Sequence, residues 1–599
     1  MHWQNMWTDE DNQRLIQLDK EGKRVRDIAI LMNSYLSAFQ LLDKKEQFQT
    51  VILFFILILI AVMEFLSVGS VIALILLFLN NLGNFQNGEL VILDYFSNIK
   101  NYHLAIFIIS IFGIKNFIYF LFLRYQFEFL ANIKKRIMNT LHRIYLDQNY
   151  EFFFDRNSKE LLRNIHLSSD FSTICMSLLM FLTEVLIIFV LLTFLFFVDF
   201  KLTFLSFITF GTIGYFYVTY FKKKIFDLGS QRQTLDGKIN KNTIETYQSI
   251  REIKIYESKN FFQKTFNMLI SNHAEIDKKF GIIQNLPRIL FEIVLIVLIS
   301  GILVFLEFYQ YSSEKNILIL SSFSVVAIRL VPAVTRIVAS YQRLNMLKPN
   351  ILLLLKEFKL DKGLKKNKEI NIANDLNIFE KLELKNINYS YSKDLNSNVF
   401  ENISFDIKKG EIFGIYGKSG SGKSTLLNLI TGLLKANSGE IKVNSKNISG
   451  NFEYLRSKIG YVPQFVYLFD DTIENNIVFD DKLNNHDYLN ECIKLSCLNN
   501  FLENLPKGLN TNIGEASVKI SGGQKQRIGL ARALYRKPEI LILDEATNSL
   551  DEKTKLKIFE NLKTLRNQLT IIIISHDNNF IKQCDRIYMI EEKKFYEKF

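Results

Sequence analysis

The strongest signal in this 599-residue sequence is the stretch Gly417-Lys418-Ser419-Gly420-Ser421-Gly422-Lys423-Ser424-Thr425. It matches the pattern G-x-x-x-x-G-K-[ST], in which glycines allow backbone N–H groups to surround phosphate at the N-terminus of a helix. In this pattern Lys423 reaches the β- and γ-phosphates, and the Ser424 hydroxyl binds Mg²⁺. Taken alone, the stretch indicates only that the chain binds and hydrolyses a nucleotide.

The apolar residues are concentrated upstream of this loop. Of all residues 48% are apolar and 13% aromatic, and many are gathered into runs of roughly 20 residues or more, the length that a spanning helix requires. Six runs are candidate spans: residues 51–80, 103–123, 176–199, 202–221, 287–308 and 316–339. The sequence therefore predicts an α-helical membrane domain of six transmembrane helices, in preference to a large soluble core of buried helices.

The basic residues between the spans predict the orientation of the chain. Residues 124–174 carry eight Lys and Arg and residues 222–286 carry twelve, whereas residues 80–102, 197–202 and 308–315 carry one each. Because basic residues stay on the cytoplasmic side, we expect both termini in the cytoplasm. The net charge of +12 is then explained by a basic belt facing anionic lipid headgroups, so no nucleic-acid partner is needed.

The N-terminal prefix and the cysteines give weaker signals. Residues 1–31 faintly resemble the opening of a small DNA-binding domain but lack its base-contacting helix. An accessory cytoplasmic cap, or a true start at Met32, is the preferred interpretation. The first 45 residues have no signal-peptide pattern. The four cysteines show no disulfide or metal spacing: Cys175, Cys492, Cys497 and Cys584.

Three further strings follow the phosphate-binding loop. They are Tyr461-Val462-Pro463-Gln464, Ile520-Ser521-Gly522-Gly523-Gln524 and Ile540-Leu541-Ile542-Leu543-Asp544-Glu545. The last is an apolar run that ends in two carboxylates, which predicts a buried strand with Glu545 as general base for a water that attacks the γ-phosphate. In their order and spacing, the loop and these strings resemble the motifs of ATP-binding cassette (ABC) proteins.

This resemblance implies a site for ATP and Mg²⁺. Glu545 is the implied base, His576 the switch histidine on the γ-phosphate, and Gln464 the glutamine that reaches Mg²⁺ and the water. The implied Mg²⁺ residues are Ser424, Gln464 and Asp544. Tyr391 would stack on adenine, with Tyr389 as the alternative. The other implied ATP contacts are Gly417, Ser419, Gly420, Ser421, Gly422, Lys423, Ser424, Thr425, Ser521, Gly522, Gly523, Gln524 and Asp551.

The resemblance also implies how the chain is organised. The expected parts are an accessory prefix (1–31), a six-helix transmembrane domain (32–344), a Lys-rich linker (345–373) and an α/β P-loop ABC ATPase domain (374–599). Short coupling helices are implied near residues 150–155 and 245–251, at the tips of cytoplasmic helix extensions.

In this family the string at residues 520–524, called the signature, completes the ATP site of a second nucleotide domain. One cassette and six spans therefore imply a homodimer with two ATP sites. One departure stands just before the signature, where residues 514–517 lack the second glycine usual in the family, and this leaves the details of coupling there open.

Four basic residues in or beside the spans suggest what is carried: Lys115, Arg288, Arg329 and Arg336. A charge in a membrane is costly, so each should face a cavity or a partner. Together they suit an anionic headgroup such as a phosphate or pyrophosphate, with Glu64, Glu184 and Glu292 as candidate counter-ions. The alternative is that Arg288 and Arg336 reach the cytoplasmic surface, or that Lys115 simply pairs with a glutamate.

Several of these segments resemble the bacterial flippase of lipid-linked oligosaccharides. The matching strings are 285–289, 329–337, 340–341 and 467–471. The resemblance implies an inner-membrane protein that moves a polyprenyl-pyrophosphate oligosaccharide, with Lys115, Arg288, Arg329 and Arg336 near the pyrophosphate. Residues 89–99 would form an external helix or a membrane-resting loop.

Other functions share this architecture. A lipid A or multidrug exporter would differ only in its cavity, and peptide export also remains open. Residues 1–49 hold no cysteine, so they are not expected to form a peptide-processing cysteine protease. An ATP-regulated channel is a further alternative, which conductance would reveal. A soluble cassette protein does not fit six spans.

Overall fold

A computed structural model of the chain describes residues 41–81, 101–309, 313–365, 378–391, 398–418, 420–448, 452–479, 485–513, 520–591 and 594–598. The expectations for residues 1–31, 89–99 and 514–517 and for Ser419 lie outside the described residues. The chain divides into two compact units. As far as they are described, the first comprises residues 1–148 and 156–365, and the second comprises residues 149–155 and 366–599.

The N-terminal part of the chain is helical. In chain order its described helices are α1 (Lys44–Asn81), α2 (Asn101–Leu146), α3 (Phe152–Asp155), α4 (Ser158–Val198), α5 (Phe200–Gln248), α6 (Ile250–Ile255), α7 (Lys259–Tyr309) and α8 (Ser313–Lys365). All but α3 belong to the first unit. Six of these helices are long and apolar enough to cross a membrane, and each coincides with one predicted span. The six-span prediction is confirmed.

The interior of the first unit is built mainly between α4 and α8. Leu191 and Leu195 of α4 pack with Ile319 and Val326 of α8, and all four are buried. On the outer surface, large apolar side chains such as Phe55 are exposed. This distribution is typical of a helix bundle that contacts lipid, where apolar side chains need not be hidden.

The long helices end at polar residues. Asp199 ends α4, and its carboxylate accepts a hydrogen bond from Leu202 N at 2.9 Å, so it also caps α5. Helix α5 ends at Gln248, and the next residue, Ser249, makes the last helical bond, from its N–H to the Glu245 carbonyl at 3.0 Å. The Ser249 hydroxyl donates to the same carbonyl at 2.6 Å. The second tip helix therefore lies later than the predicted residues 245–251, at Ile250–Ile255.

Helix α8 does not end at the predicted domain boundary. It continues past residue 344 to Lys365, so most of the segment expected as a linker is helical. The physical reason is an apolar face at helical spacing, on which Ile351 and Leu354 are each only 1% exposed. Residues 366–373 of the expected linker lie outside the described part.

A buried carboxylate ties this end of α8 to the helices beside it. The Glu357 side chain is 1% exposed. Arg156 Nη1 donates to its two oxygens at 2.9 and 2.8 Å, and the Tyr145 hydroxyl donates to Oε2 at 3.0 Å. Glu357 therefore joins Arg156 and the end of α2 to α8 within the first unit.

The second unit contains two main sheets. Its strands are β1 (Lys381–Ser390), β2 (Asn398–Lys408), β3 (Ile412–Gly417), β4 (Ser438–Val443), β5 (Lys446–Asn447), β6 (Ile459–Val462), β7 (Asp471–Thr472), β8 (Asn512–Ile513), β9 (Ile540–Asp544), β10 (Thr570–Ser575), β11 (Arg586–Glu591) and β12 (Lys594–Lys598). The order β2-β1-β4-β5 is antiparallel. The order β12-β11-β3-β10-β9-β6 is parallel except at the edge strand β12.

Helices cover this α/β core. They are α9 (Lys423–Ile430), α10 (Glu453–Ser457), α11 (Ile473–Val478), α12 (His486–Leu495), α13 (Asn499–Glu503), α14 (Gly522–Tyr535), α15 (Glu552–Lys563) and α16 (Asn578–Ile581). Between the two sheets, Phe413 of β3 stacks on Phe405 and Tyr588, with ring centroids 5.5 and 5.1 Å apart. The α/β fold expected for this half of the chain is confirmed.

We expect Phe413→Ala to destabilise the second unit by about 3–5 kcal/mol, because a fully buried ring would leave a cavity between the sheets. Thermal unfolding of the purified full-length protein should show a lower midpoint. The control is Phe465→Ala, since Phe465 is 85% exposed. Equal midpoints for the two variants would contradict the stacked core.

Two of the three cysteine thiols of the second unit, those of Cys492 and Cys584, should be unreactive in the folded protein. Burial raises the pKa of both Cys492 and Cys584 to about 12. The thiolate is the reactive form, and its fraction at pH 8 would be on the order of 10⁻⁴. Peptide mapping after maleimide treatment should find both thiols unlabelled until the chain is unfolded in detergent. Rapid labelling of native protein would show that the burial is wrong.

Candidate active site

Four strand ends bring the predicted catalytic residues to one edge of the larger sheet. Strands β3, β10, β9 and β6 are adjacent and parallel. Their carboxyl ends lead into Gly417, His576, Glu545 and Gln464, respectively. Carboxyl ends of parallel strands lie at the same edge, where ligands bind in open α/β sheets.

Glu545 lies at the centre of this edge. Gln464 Nε2 donates to Glu545 Oε2 at 2.7 Å, and Asn548 Nδ2 lies 3.2 Å from the same oxygen. On the other carboxylate oxygen, His576 Nδ1 lies at 3.5 Å and Lys423 Nζ at 3.9 Å. The structure therefore brings together Glu545, His576 and Gln464. Asn548 was not among the predicted site residues, although it stands three residues after Glu545.

The backbone holds Glu545 in an unusual conformation. Its φ is +49°, in the left-handed region that non-glycine residues seldom adopt. The Glu545 N–H donates to the Ile574 carbonyl of β10 at 2.9 Å, which fixes the turn that follows β9. Such strain costs of order 1–3 kcal/mol and persists where the surroundings determine it. The turn leaves the side chain 15% exposed, so water can reach the carboxylate.

The phosphate-binding loop has the expected geometry. Gly420 and Gly422 have φ of +81° and +102°, and α9 begins at Lys423. Lys423 Nζ donates to the carbonyls of Gly417 and Lys418 at 2.8 and 3.0 Å, which shapes the loop. A Cβ at Gly417 would lie 2.6 Å from Ser421 Oγ, so a side chain there would displace that hydroxyl.

These residues fit ATP phosphates. Within the described residues, the buried Ser421 hydroxyl has no hydrogen-bond partner, and the lysine ammonium at the helix start faces the carboxylate edge. A phosphate oxygen would satisfy both groups. Ser424 is exposed and Thr425 is buried in the first turn of α9, so the serine hydroxyl remains free to bind Mg²⁺.

The Mg²⁺ side depends on Asp544. Burial raises the pKa of Asp544, and a hydrogen bond from the Tyr461 hydroxyl at 3.2 Å works in the opposite direction. Mg²⁺ usually binds through one or two carboxylates plus substrate phosphates and seldom in a site made of protein ligands alone. The set of Asp544, Gln464 and Ser424, with its single carboxylate, fits this pattern. Tyr461 was missed from the sequence, where its position at the end of β6, three residues before Gln464, is the available signal.

On the adenine side, Tyr391 and not Tyr389 is available for stacking. The Tyr391 residue is 56% exposed, whereas Tyr389 is 5% exposed and belongs to the core. The Tyr391 hydroxyl lies 2.9 Å from Thr425 Oγ1, which holds the ring beside the phosphate-binding loop. The tip residue Phe154 of α3 contacts Tyr391 with a ring distance of 6.0 Å. The sequence implied a coupling helix near residues 150–155 but did not place it beside this tyrosine.

The signature string begins a helix. Ser521 caps α14, and its backbone N–H and side chain exchange hydrogen bonds with Gln524 at 2.8 and 3.2 Å. Gly522 and Gly523 pack closely on Ser549, where a Cβ would lie 3.2 and 2.8 Å from its atoms. Asp551 follows and caps α15, and its hydrogen bond from Thr554 N lowers the pKa of its carboxyl.

The four predicted substrate residues are all paired in the first unit. Lys115 Nζ and Arg329 Nε lie 3.1 and 2.6 Å from the two oxygens of Glu64. Arg336 Nε lies 2.5 Å from Glu184, and Arg288 Nε lies 3.0 Å from Glu292. The expected counter-ions are therefore the observed partners. The structure joins Lys115 to Arg329 through Glu64, but the Arg288 pair is exposed and is not joined to them by any described ion pair.

Comparison with known proteins identifies the second unit. The family model described as ABC transporter matches residues 400–548. This part of the chain is an ABC transporter ATPase domain. Such a domain hydrolyses ATP and uses Mg²⁺ with it, in agreement with the edge built around Glu545.

Individual relatives match part of the chain. A protein of Rickettsia bellii (strain RML369-C), named as an export ATP-binding/permease, is 42% identical over 212 residues, which are 35% of this chain and 37% of that protein. The multidrug resistance-like ATP-binding protein MdlA of Buchnera aphidicola subsp. Baizongia pistaciae (strain Bp) is 34% identical over 384 residues, 62% of this chain and 64% of that protein. The matched regions thus cover less than two thirds of either relative.

A solved structure extends the likeness to the whole fold. The structure of a bacterial Atm1-family ABC exporter with ATP bound superposes with a TM-score of 0.73 at 19% identity, and the match covers 95% of each chain. At this identity the comparison establishes the architecture, namely six spanning helices followed by an ABC ATPase domain.

We expect Glu545→Gln to lower the rate of ATP hydrolysis by about 10²–10⁴-fold, because the amide has nearly the shape of the carboxylate but cannot accept a proton from water. Phosphate release by the purified protein measures the effect, and nucleotide binding should be retained. Glu552→Gln is the matched control, since Glu552 is an exposed carboxylate at the start of α15. Hydrolysis at the wild-type rate in Glu545→Gln would remove Glu545 from this role.

Proposed function

We propose that the chain is an ATP-driven exporter that works as a homodimer in a bacterial inner membrane. Its substrate in this proposal is lipid-linked and anionic, most simply a polyprenyl-pyrophosphate oligosaccharide moved from the cytoplasmic to the outer side. The six spans, the fold of an ABC exporter and the ATPase domain support transport. The basic side chains of Lys115, Arg329 and Arg336 in the first unit support the proposal that the substrate is anionic.

Hydrolysis in this proposal follows from the contacts of Glu545. Its Oε2 takes a proton from water, and Gln464 and Asn548 hold that oxygen in position. Lys423 leaves the loop carbonyls and donates to phosphate, while Asp544, oriented by Tyr461, holds the side of the site where Mg²⁺ neutralises developing charge. His576, beside the same carboxylate, contacts the γ-phosphate.

A second copy of the chain completes each ATP site in this proposal. Ser521 and the glycines after it form the capped start of α14 and leave backbone N–H groups at a helix N-terminus. Such a terminus favours a phosphate. In ABC domains that phosphate belongs to the other copy, so closing of the dimer and ATP binding would stabilise each other.

The substrate proposal is carried by the Lys115, Arg329 and Arg336 side chains. Arg329 and Arg336 are seven residues apart on α8, so they share a helix face, and their side chains are 35% and 33% exposed. Retaining charged groups within spans is costly unless they serve a pathway or a ligand. Guanidinium groups bind phosphate oxygens in pairs, which suits a pyrophosphate headgroup.

An exporter of multidrug type is the second candidate. The observation in its favour is that each of the four cations already has a carboxylate partner, so the surface is less positive than the basic residues alone suggest. The similarity to the multidrug resistance-like protein of Buchnera supports the same candidate. An amphiphilic cation or a neutral drug would then be the substrate.

The experiment that tests the proposal is translocation of a fluorescent polyprenyl-pyrophosphate oligosaccharide in proteoliposomes. We expect ATP-dependent movement by the wild type, none by Glu545→Gln, and none by Arg329→Ala/Arg336→Ala even though that variant still hydrolyses ATP. Robust hydrolysis without translocation by the wild type would reject this substrate. In that case ATP-dependent uptake of amphiphilic cationic dyes into inverted vesicles tests the second candidate.

A further inference from the structure

One carboxylate holds two of the cations that the proposed function assigns to the substrate. Glu64 of α1 places Oε2 3.1 Å from Lys115 Nζ of α2 and Oε1 2.6 Å from Arg329 Nε of α8. Lys115 Nζ also lies 3.4 Å from the hydroxyl of Ser67, one turn further along α1. Three helices of the first unit therefore meet at the carboxylate of Glu64.

The carboxylate and its partners differ in exposure. The Glu64 side chain is 6% exposed, and Lys115 is 15% exposed, whereas Arg329 is 35% exposed. The same order holds at the second pair, where Glu184 is 7% and Arg336 is 33% exposed. An incoming ligand thus reaches the guanidinium groups first, and the carboxylates lie behind them.

The charges in this cluster nearly cancel. Lys115, Arg329 and Arg336 carry three positive charges, and Glu64 and Glu184 carry two negative ones, so one positive charge is left over. A buried carboxylate without partners is costly, and buried cations without partners are equally costly. The cluster is therefore stable without a ligand, but any anion that binds the cations must compete with Glu64.

We propose that Glu64 is a displaceable counter-ion that competes with the anionic headgroup for Arg329 and Lys115 and so sets the affinity of the site for it. This inference rests on the proposed function. When a pyrophosphate headgroup binds, its oxygens replace the Glu64 carboxylate as the ion-pair partners of Arg329 and Lys115. A headgroup of lower charge competes less strongly with Glu64 for these cations, so a monophosphate displaces Glu64 less readily than a pyrophosphate does. Glu64 is therefore a determinant of charge selectivity.

The test is equilibrium binding of farnesyl pyrophosphate to the full-length protein in phosphatidylcholine nanodiscs. Saturating MgADP is present throughout, so that the phosphate-binding loop cannot take up the probe. Empty nanodiscs correct for partitioning of the probe into lipid. Farnesyl monophosphate, farnesol and inorganic pyrophosphate are compared in parallel, which separates recognition of the lipid from recognition of free pyrophosphate.

We expect Glu64→Gln to bind farnesyl pyrophosphate roughly tenfold or more tightly than the wild type, because the competing negative charge is gone. Arg329→Gln should lose binding. The charge-balanced variant Glu64→Gln/Lys115→Gln should return close to the wild-type affinity. The matched control is Glu307→Gln, an exposed carboxylate near the end of α7, whose affinity should equal that of the wild type.

The outcomes separate the inference from the function on which it rests. If the wild type binds and Glu64→Gln binds equally or more weakly, Glu64 is only a structural ion-pair partner and the inference is wrong. If neither the wild type nor Glu64→Gln binds although ATP hydrolysis is intact, the anionic substrate itself is rejected. Equal affinity for inorganic pyrophosphate and for farnesyl pyrophosphate would reject a lipid-linked ligand.

Folding of the variants is checked separately. Should Glu64→Gln be unstable in thermal unfolding, Glu64→Asp replaces it. The aspartate keeps the charge but is one methylene shorter, so it cannot hold both cations at the observed distances. It should bind farnesyl pyrophosphate more tightly than the wild type, and weaker binding would contradict a displaceable counter-ion.

Discussion

The parallel pairing of β3, β10, β9 and β6 is the constraint on which the active site depends. Backbone hydrogen bonds fix the register of these strands, so Ile574 pairs with Ile415 on one side and with Asp544 on the other. That register sets where each strand ends. The catalytic groups come from segments far apart in the sequence, and they meet only because their strands end at the same edge.

Much of this edge could be predicted because its residues stand in motifs. The loop at 417–425 specifies its own geometry through glycines that adopt left-handed conformations, and Glu545 follows a run that can only be a buried strand. Tyr461 could not be predicted in the same way. Its place three residues before Gln464 puts it near the site, but its partner Asp544 becomes visible only when β6 and β9 are paired.

In the membrane part, the sequence predicts the helices but not the contacts between their side chains. The six spans follow from length and composition, since a helix across lipid needs about 20 apolar residues and little else. Side-chain pairing within the bundle does not follow from these properties. Glu64 is 51 positions from Lys115 and 265 from Arg329, and only the packing of α1 against α2 and α8 shows that one carboxylate meets both. The end of α8 was also misplaced, because a change toward lysine in the sequence does not end a helix whose apolar face continues.

Because α8 is one continuous helix, a rotation at one end can be transmitted to the other. Arg329, Arg336 and Glu357 lie on this one helix, which is continuous from Ser313 to Lys365. A rotation about the axis at Glu357 therefore reorients the guanidinium groups of Arg336 and Arg329 in the same sense. Pro332 and Pro349 each remove a backbone hydrogen bond from α8, so the helix can bend at these two residues. Part of a rotation can be absorbed there.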